Sequence, residues 1–95
     1  MKIKIKRDKA GKYTVWFKGL YKCPSIGLMG SGCMGEITKF ENELLKGDVS
    51  WFCKSSVHFQ DYNGVLNKGR VMHGRLADAK EYFQEMANWY NSKIN

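Results

Sequence analysis

The chain has 95 residues, 43% of them hydrophobic and 26% charged, a balance that argues against disorder and fits one domain spanning 1–95 with a modest core. No apolar run approaches the ~18–20 residues of a membrane span, and the N-terminus Met1-Lys2-Ile3-Lys4-Ile5-Lys6 lacks the apolar stretch of a signal peptide, so a cytoplasmic protein without membrane association is expected. Three cysteines, an odd number, weigh against a disulfide scaffold.

The formal net charge is +7, and its placement is uneven. Residues 1–22 hold Lys2, Lys4, Lys6, Arg7, Lys9, Lys12, Lys18 and Lys22 against Asp8 alone, whereas residues 23–95 balance eight bases with eight acids. The whole excess therefore sits on one short segment. A localised positive field attracts polyanions or an acidic partner. Lysines on an edge strand also serve to keep it soluble and unpaired.

Residues 2–7 and 13–18 read as two strands joined through Lys9-Ala10-Gly11, with Gly11 in the left-handed position such a loop needs. This register sets Asp8 opposite Lys12, Ile5 opposite Val15, Ile3 opposite Phe17 and Trp16 opposite Lys4. One face then carries Ile3, Ile5, Val15 and Phe17, with Tyr13 beside Arg7; the other carries Lys2, Lys4, Lys6, Thr14, Trp16 and Lys18. A one-residue slip would undo that sorting. Residues 19–35 are Gly-rich and read as irregular. A helix is expected near 36–46, where Ile37, Phe40, Leu44 and Leu45 make one apolar stripe, Thr38 to Glu41 resembles a capping box and Gly47 is a stop. Residues 49–60 alternate as a half-buried strand. Val49, Trp51, Cys53, Val57 and Phe59 share one face; Ser50, Lys54, Ser56, His58 and Gln60 share the other, and Phe52 breaks the pattern. Asp61-Tyr62-Asn63-Gly64 signals a turn, and Arg70 to His73 a returning strand. A last helix is expected over about 76–90. Leu76, Ala79, Phe83, Met86, Ala87 and Tyr90 line its inner face, Tyr82 and Trp89 flank it, and Asp78 and Glu81 suit its dipole. The expected fold is α+β: a small antiparallel sheet of about four strands in ββαββα order, with two helices packed on one face.

Trp16 among lysines is the most informative feature. An exposed indole offers a flat face for a base, and neighbouring lysines neutralise phosphates. Packing beneath the Lys4 stem is the alternative. Lysine dominates the segment, which suits diffuse phosphate attraction over base reading and implies little sequence specificity. Lys54, Lys68, Arg70 and Arg75 against Asp61 add a second, weaker basic region, while Glu36, Glu41, Glu43 and Asp48 make residues 36–48 acidic. The candidate binding residues are Lys2, Lys4, Lys6, Arg7, Trp16, Lys18 and Arg70.

Gly30-Ser31-Gly32-Cys33-Met34-Gly35 is a literal G-x-G-x-x-G leading into the expected helix. The preceding residues make a poor strand and no acid follows at the usual spacing, so a nucleotide cofactor is not expected; backbone amides holding a phosphate remain an option. Cys23, Cys33, Cys53, His58 and His73 lack the paired knuckle of a zinc site. Cys33 at a helix start, with His58 or His73 as its base, would be the nucleophile of an enzyme reading. No paired carboxylates stand out for acid–base work. We therefore expect a non-catalytic protein, without metal or cofactor, that engages nucleic acid or a nucleic-acid-associated protein complex through its basic hairpin. The alternative is a small inhibitor or adaptor of the kind mobile elements and phages encode. It would block a nucleic-acid-processing complex through protein–protein interaction, with Trp51, Phe52, Tyr82, Trp89 and Tyr90 as anchors. A homodimer through edge-strand pairing is a third reading.

Overall fold

A computed structural model describes residues 2–19, 21–23, 27–41, 49–56, 59 and 70–92. The chain runs β1 (Lys2–Lys9), β2 (Lys12–Lys18), β3 (Tyr21–Cys23), β4 (Gly27–Met29), β5 (Gly32–Glu41), β6 (Val49–Ser55), β7 (Arg70–His73) and α1 (Leu76–Ser92). Five strands form one antiparallel sheet in the order β1-β2-β5-β6-β7, and β3 and β4 pair as a separate ribbon. The fold is α+β with an antiparallel sheet, as expected. The ββαββα order and the two helices are not found: the described residues contain one helix, at the C-terminal end.

The first hairpin keeps the expected register, with Ile3 opposite Phe17, Lys4 opposite Trp16, Ile5 opposite Val15 and Arg7 opposite Tyr13. Gly11 has φ 76°, the left-handed turn geometry. One detail differs. The register shifts between Arg7 and Lys9, so Lys9 faces Lys12 and Asp8 is the bulged residue, its carboxylate 4.0 Å from the Lys12 ammonium.

The expected helix at 36–46 is replaced through Glu41 by β5, and residues 42–48 lie outside the described residues. A bulge interrupts β5 just before the expected stripe. Between Val15–Gly35 and Trp16–Cys33 the register shifts and leaves Met34 unopposed. Met34, Gly35 and Ile37 are consequently all buried. Beyond the bulge ordinary alternation resumes, and Phe40 emerges on the outer face, 62% exposed rather than in the core. Gly30 to Gly35 thus leads into a strand, which removes the helix N-terminus that a phosphate-binding loop would need. The stretch read as irregular, 19–35, contains β3, β4 and the start of β5.

The strand expected over 49–60 ends at Ser55. Phe59 reaches the core from a turn in which its N–H donates to the Ser56 carbonyl at 3.0 Å. Val57, His58, Gln60 and the turn at 61–64 lie outside the described residues.

Helix α1 forms where expected. Its inner face of Ala79, Tyr82, Phe83, Met86, Ala87 and Tyr90 closes over Val15, Phe17, Met34, Ile37, Cys53 and Phe59. Ile3, Ile5, Tyr13, Trp51, Val71, Leu76 and Trp89 pack around this core. Phe59 joins the sheet to the helix edge-on, 5.5 Å from the Phe17 ring and 5.2 Å from Tyr90. At the helix start Arg75 donates to both Asp78 oxygens at 3.0 and 3.1 Å. Those hydrogen bonds and the guanidinium charge hold the exposed Asp78 carboxyl below its usual range. Helix α1 covers one face of the sheet, touching β1, β6 and β7. It is not long and apolar enough to cross a membrane.

Candidate nucleic-acid interface

Strand alternation decides what the other face presents. In β1, Ile3, Ile5 and Arg7 turn toward the helix side, and Lys2, Lys4 and Lys6 turn away, all three exposed. In β2, Tyr13, Val15 and Phe17 go inward while Lys12, Thr14, Trp16 and Lys18 go outward. Trp16 is 41% exposed, so its indole is not part of the core. It is nevertheless held: its Nε1–H donates to Thr14 Oγ1 at 2.9 Å, and the Lys6 ammonium lies 5.8 Å from the ring centroid. Lys2, Lys4, Lys6 and Lys18 surround it with Ile3 and Phe17 beneath, enclosing a hollow of about 310 Å³.

Electrostatics separates this end of the sheet from the rest. Lys12 is 3.4 Å from the Glu36 carboxylate, which spends the nearest acid on one cation. Among the described residues Lys2, Lys4, Lys6 and Lys18 have no ion-pair partner. The hairpin turn holds a larger hollow, about 480 Å³, between Lys9, Lys12, Thr38, Lys39 and Glu41. Two of its three cations are paired, Lys39 2.9 Å from Glu41 and Lys12 with Glu36.

Five of the seven candidate residues, Lys2, Lys4, Lys6, Trp16 and Lys18, come together on this face. Arg7 does not join them, because its position in the alternation places it with Tyr13 on the helix side of β1. Arg70 sits on β7 at the opposite edge, its backbone paired with Lys54, and its side chain lies outside the described residues. Of the second basic region, Arg75 is engaged by Asp78. Lys54 is exposed on the same face as Trp16, in the register row of Thr14 and Glu36.

The sequence reading missed the far end of this face. Phe40, Phe52 and Met72 lie there together, with Phe52 opposite Met72 and Phe40 one register step along β5 from the row that holds Phe52. Phe40 and Met72 are 62% and 49% exposed. The available signal was the break at Phe52 in an otherwise clean alternation: a large apolar residue on the polar side of a strand.

The thiols divide across the sheet. Cys33 is exposed on the open face, its Sγ 3.6 Å from the Gly35 carbonyl oxygen. Cys53 is fully buried beneath α1, and desolvation pushes its thiol up to about 12, so it packs as a small protonated apolar group. His73 stacks against Tyr82 on the helix side, ring centroids 5.5 Å apart. Cys33 and His73 therefore occupy opposite faces and do not form a nucleophile–base pair. His58 and the Cys23 side chain lie outside the described residues. No group of three metal-ligating side chains occurs among the described residues.

Comparison with protein-family models, curated proteins and solved structures found no match.

Proposed function

We propose that the protein binds nucleic acid, alone or within a nucleoprotein, through the basic half of its open sheet face and with little sequence preference. The observation that carries this reading is the cluster of four lysines, without an ion-pair partner among the described residues, around an exposed, hydrogen-bonded indole. Lysine ammonium groups neutralise phosphates and release counterions, while the indole gives an unpaired base a stacking surface. A positive edge opposite the helix-covered face is accessible to a long polyanion.

The inhibitor or adaptor reading loses most of its anchors to the fold. Tyr82 and Tyr90 are buried, and Trp51 and Trp89 pack against the core. Only Phe52 of that set lies on the open face. The lysine edge also opposes pairing of β1 with a second copy, since like charges would face each other.

The double substitution Lys4→Glu with Lys6→Glu tests the proposal. Both side chains are exposed, so the thermal midpoint should stay within a few degrees of wild type. Affinity for a labelled oligonucleotide should fall about tenfold to a hundredfold, because two phosphate contacts are lost and two repulsions gained. Unchanged affinity in a folded double variant removes the hairpin as the binding surface.

A further inference from the structure

An antiparallel sheet with one wet face normally shows polar side chains there. Here the open face carries two separate aromatic stations. Trp16 stands at the β1–β2 end; Phe40 and Phe52 stand across β5 and β6. Between them lie Thr14 and Thr38 together with the paired Lys12 and Glu36 and, on β6, Lys54. Outward positions alternate along each strand, and neighbouring strands lie about 4.8 Å apart. From these spacings and the registers, the Trp16 and Phe40 stations are roughly 20 Å apart. The charge of this face is one-sided. Among the described residues, Lys2, Lys4, Lys6, Lys12, Lys18 and Lys54 point outward against Glu36, which Lys12 already neutralises.

We infer that the whole open face is a platform for single-stranded nucleic acid. The strand's bases stack first on Trp16 and then on Phe52 and Phe40, and its phosphates follow the lysines. This rests on the proposed nucleic-acid function and specifies its substrate class. Two ring stations on one face, with charged and hydroxyl side chains between them, suit unpaired bases, whose faces are free. In a duplex those faces are hidden in the stack, and only the charge would be engaged. The exposed apolar rings argue for a ligand with flat apolar surface, and the surplus of lysine requires that ligand to be an anion; an unpaired polynucleotide satisfies both. The span calls for about four nucleotides or more, the low end of known single-strand site sizes.

Phe40 is the residue to change, since it is the most exposed ring of the face and contributes nothing to the buried core. Wild type and Phe40→Ala would be titrated at fixed low salt with an oligothymidylate trinucleotide, a dodecanucleotide and a dodecamer duplex. Sedimentation and thermal melting would run in parallel. Expected for Phe40→Ala is about tenfold weaker binding of the dodecanucleotide, with trinucleotide and duplex affinities unchanged and a melting midpoint near wild type. Equal binding of the dodecanucleotide by both proteins overturns the platform while leaving the lysine-based function standing. So does a wild-type dimer that Phe40→Ala converts to monomer, because a second copy then covers the rings. A wild-type chain that binds none of the three probes overturns both the platform and the function.

Discussion

Truncating Phe83 to alanine should cost about 3–5 kcal/mol, a large fraction of the stability of a domain this size. Phe83 is fully buried at the centre of α1's inner face, edge-on to Tyr82 at 5.3 Å, and its ring lies over the Cα of Gly35. Gly35 offers no side chain to fill the space that the truncated ring would leave. The midpoint of thermal unfolding, followed by circular dichroism, should therefore drop by roughly 12–30 °C. A drop of only a few degrees would show that α1 does not close over the sheet in the manner described.

The complementary change is Gly35→Val. A Cβ at this position would meet the Phe83 ring at 2.8 Å and the Lys54 carbonyl oxygen more closely still. The ring is held by its own packing and the carbonyl belongs to the β5–β6 ladder, so neither gives way cheaply. The expected loss is about 3 kcal/mol or more, at the upper end of overpacking costs. It follows from lack of space and not from backbone strain, and because the contacts are those of the Cβ itself, Gly35→Ala should already carry part of the loss. Equal midpoints for wild type and Gly35→Val would contradict this packing. With Phe83→Ala in the same chain the combined loss should fall short of the sum, since the truncated ring relieves its own contact with the valine while the contact with the Lys54 carbonyl remains.

These packing relations show what local patterns reveal and what they hide. The first hairpin was readable because Lys-Ile alternation, a turn glycine and a second alternating run all specify one register. The last helix was readable because its apolar residues recur with helical spacing over several turns. The segment 32–41 was not. Ile37 and Phe40 match a helical stripe by spacing, yet in the strand they fall on opposite faces, and the bulge at Met34 breaks the plain alternation that would have marked a strand. Only the pairing of β5 with both β2 and β6 reveals it, and that pairing is a long-range fact. The glycines of 30–35 resembled a phosphate loop, yet Gly35 is small because a ring on α1 must pass over it.

The binding face divides in the same way. Lys2, Lys4, Lys6, Trp16 and Lys18 share one side of a hairpin, so local alternation suffices to place them together. Arg7 carries the same charge but falls on the other side of the same strand, and composition alone does not separate it from its neighbours. Phe40 and Met72 reach the open face only through the order of strands in the sheet. That order depends on contacts far apart in the chain.

The dependence of oligonucleotide affinity on salt addresses the central claim most directly. The four lysines around Trp16 predict that log affinity for a single strand falls with log salt at a slope of about −3, easing to about −1.5 in Lys4→Glu with Lys6→Glu. A slope near zero in the wild-type chain, or the same slope in both proteins, would mean that phosphates are not neutralised on this face.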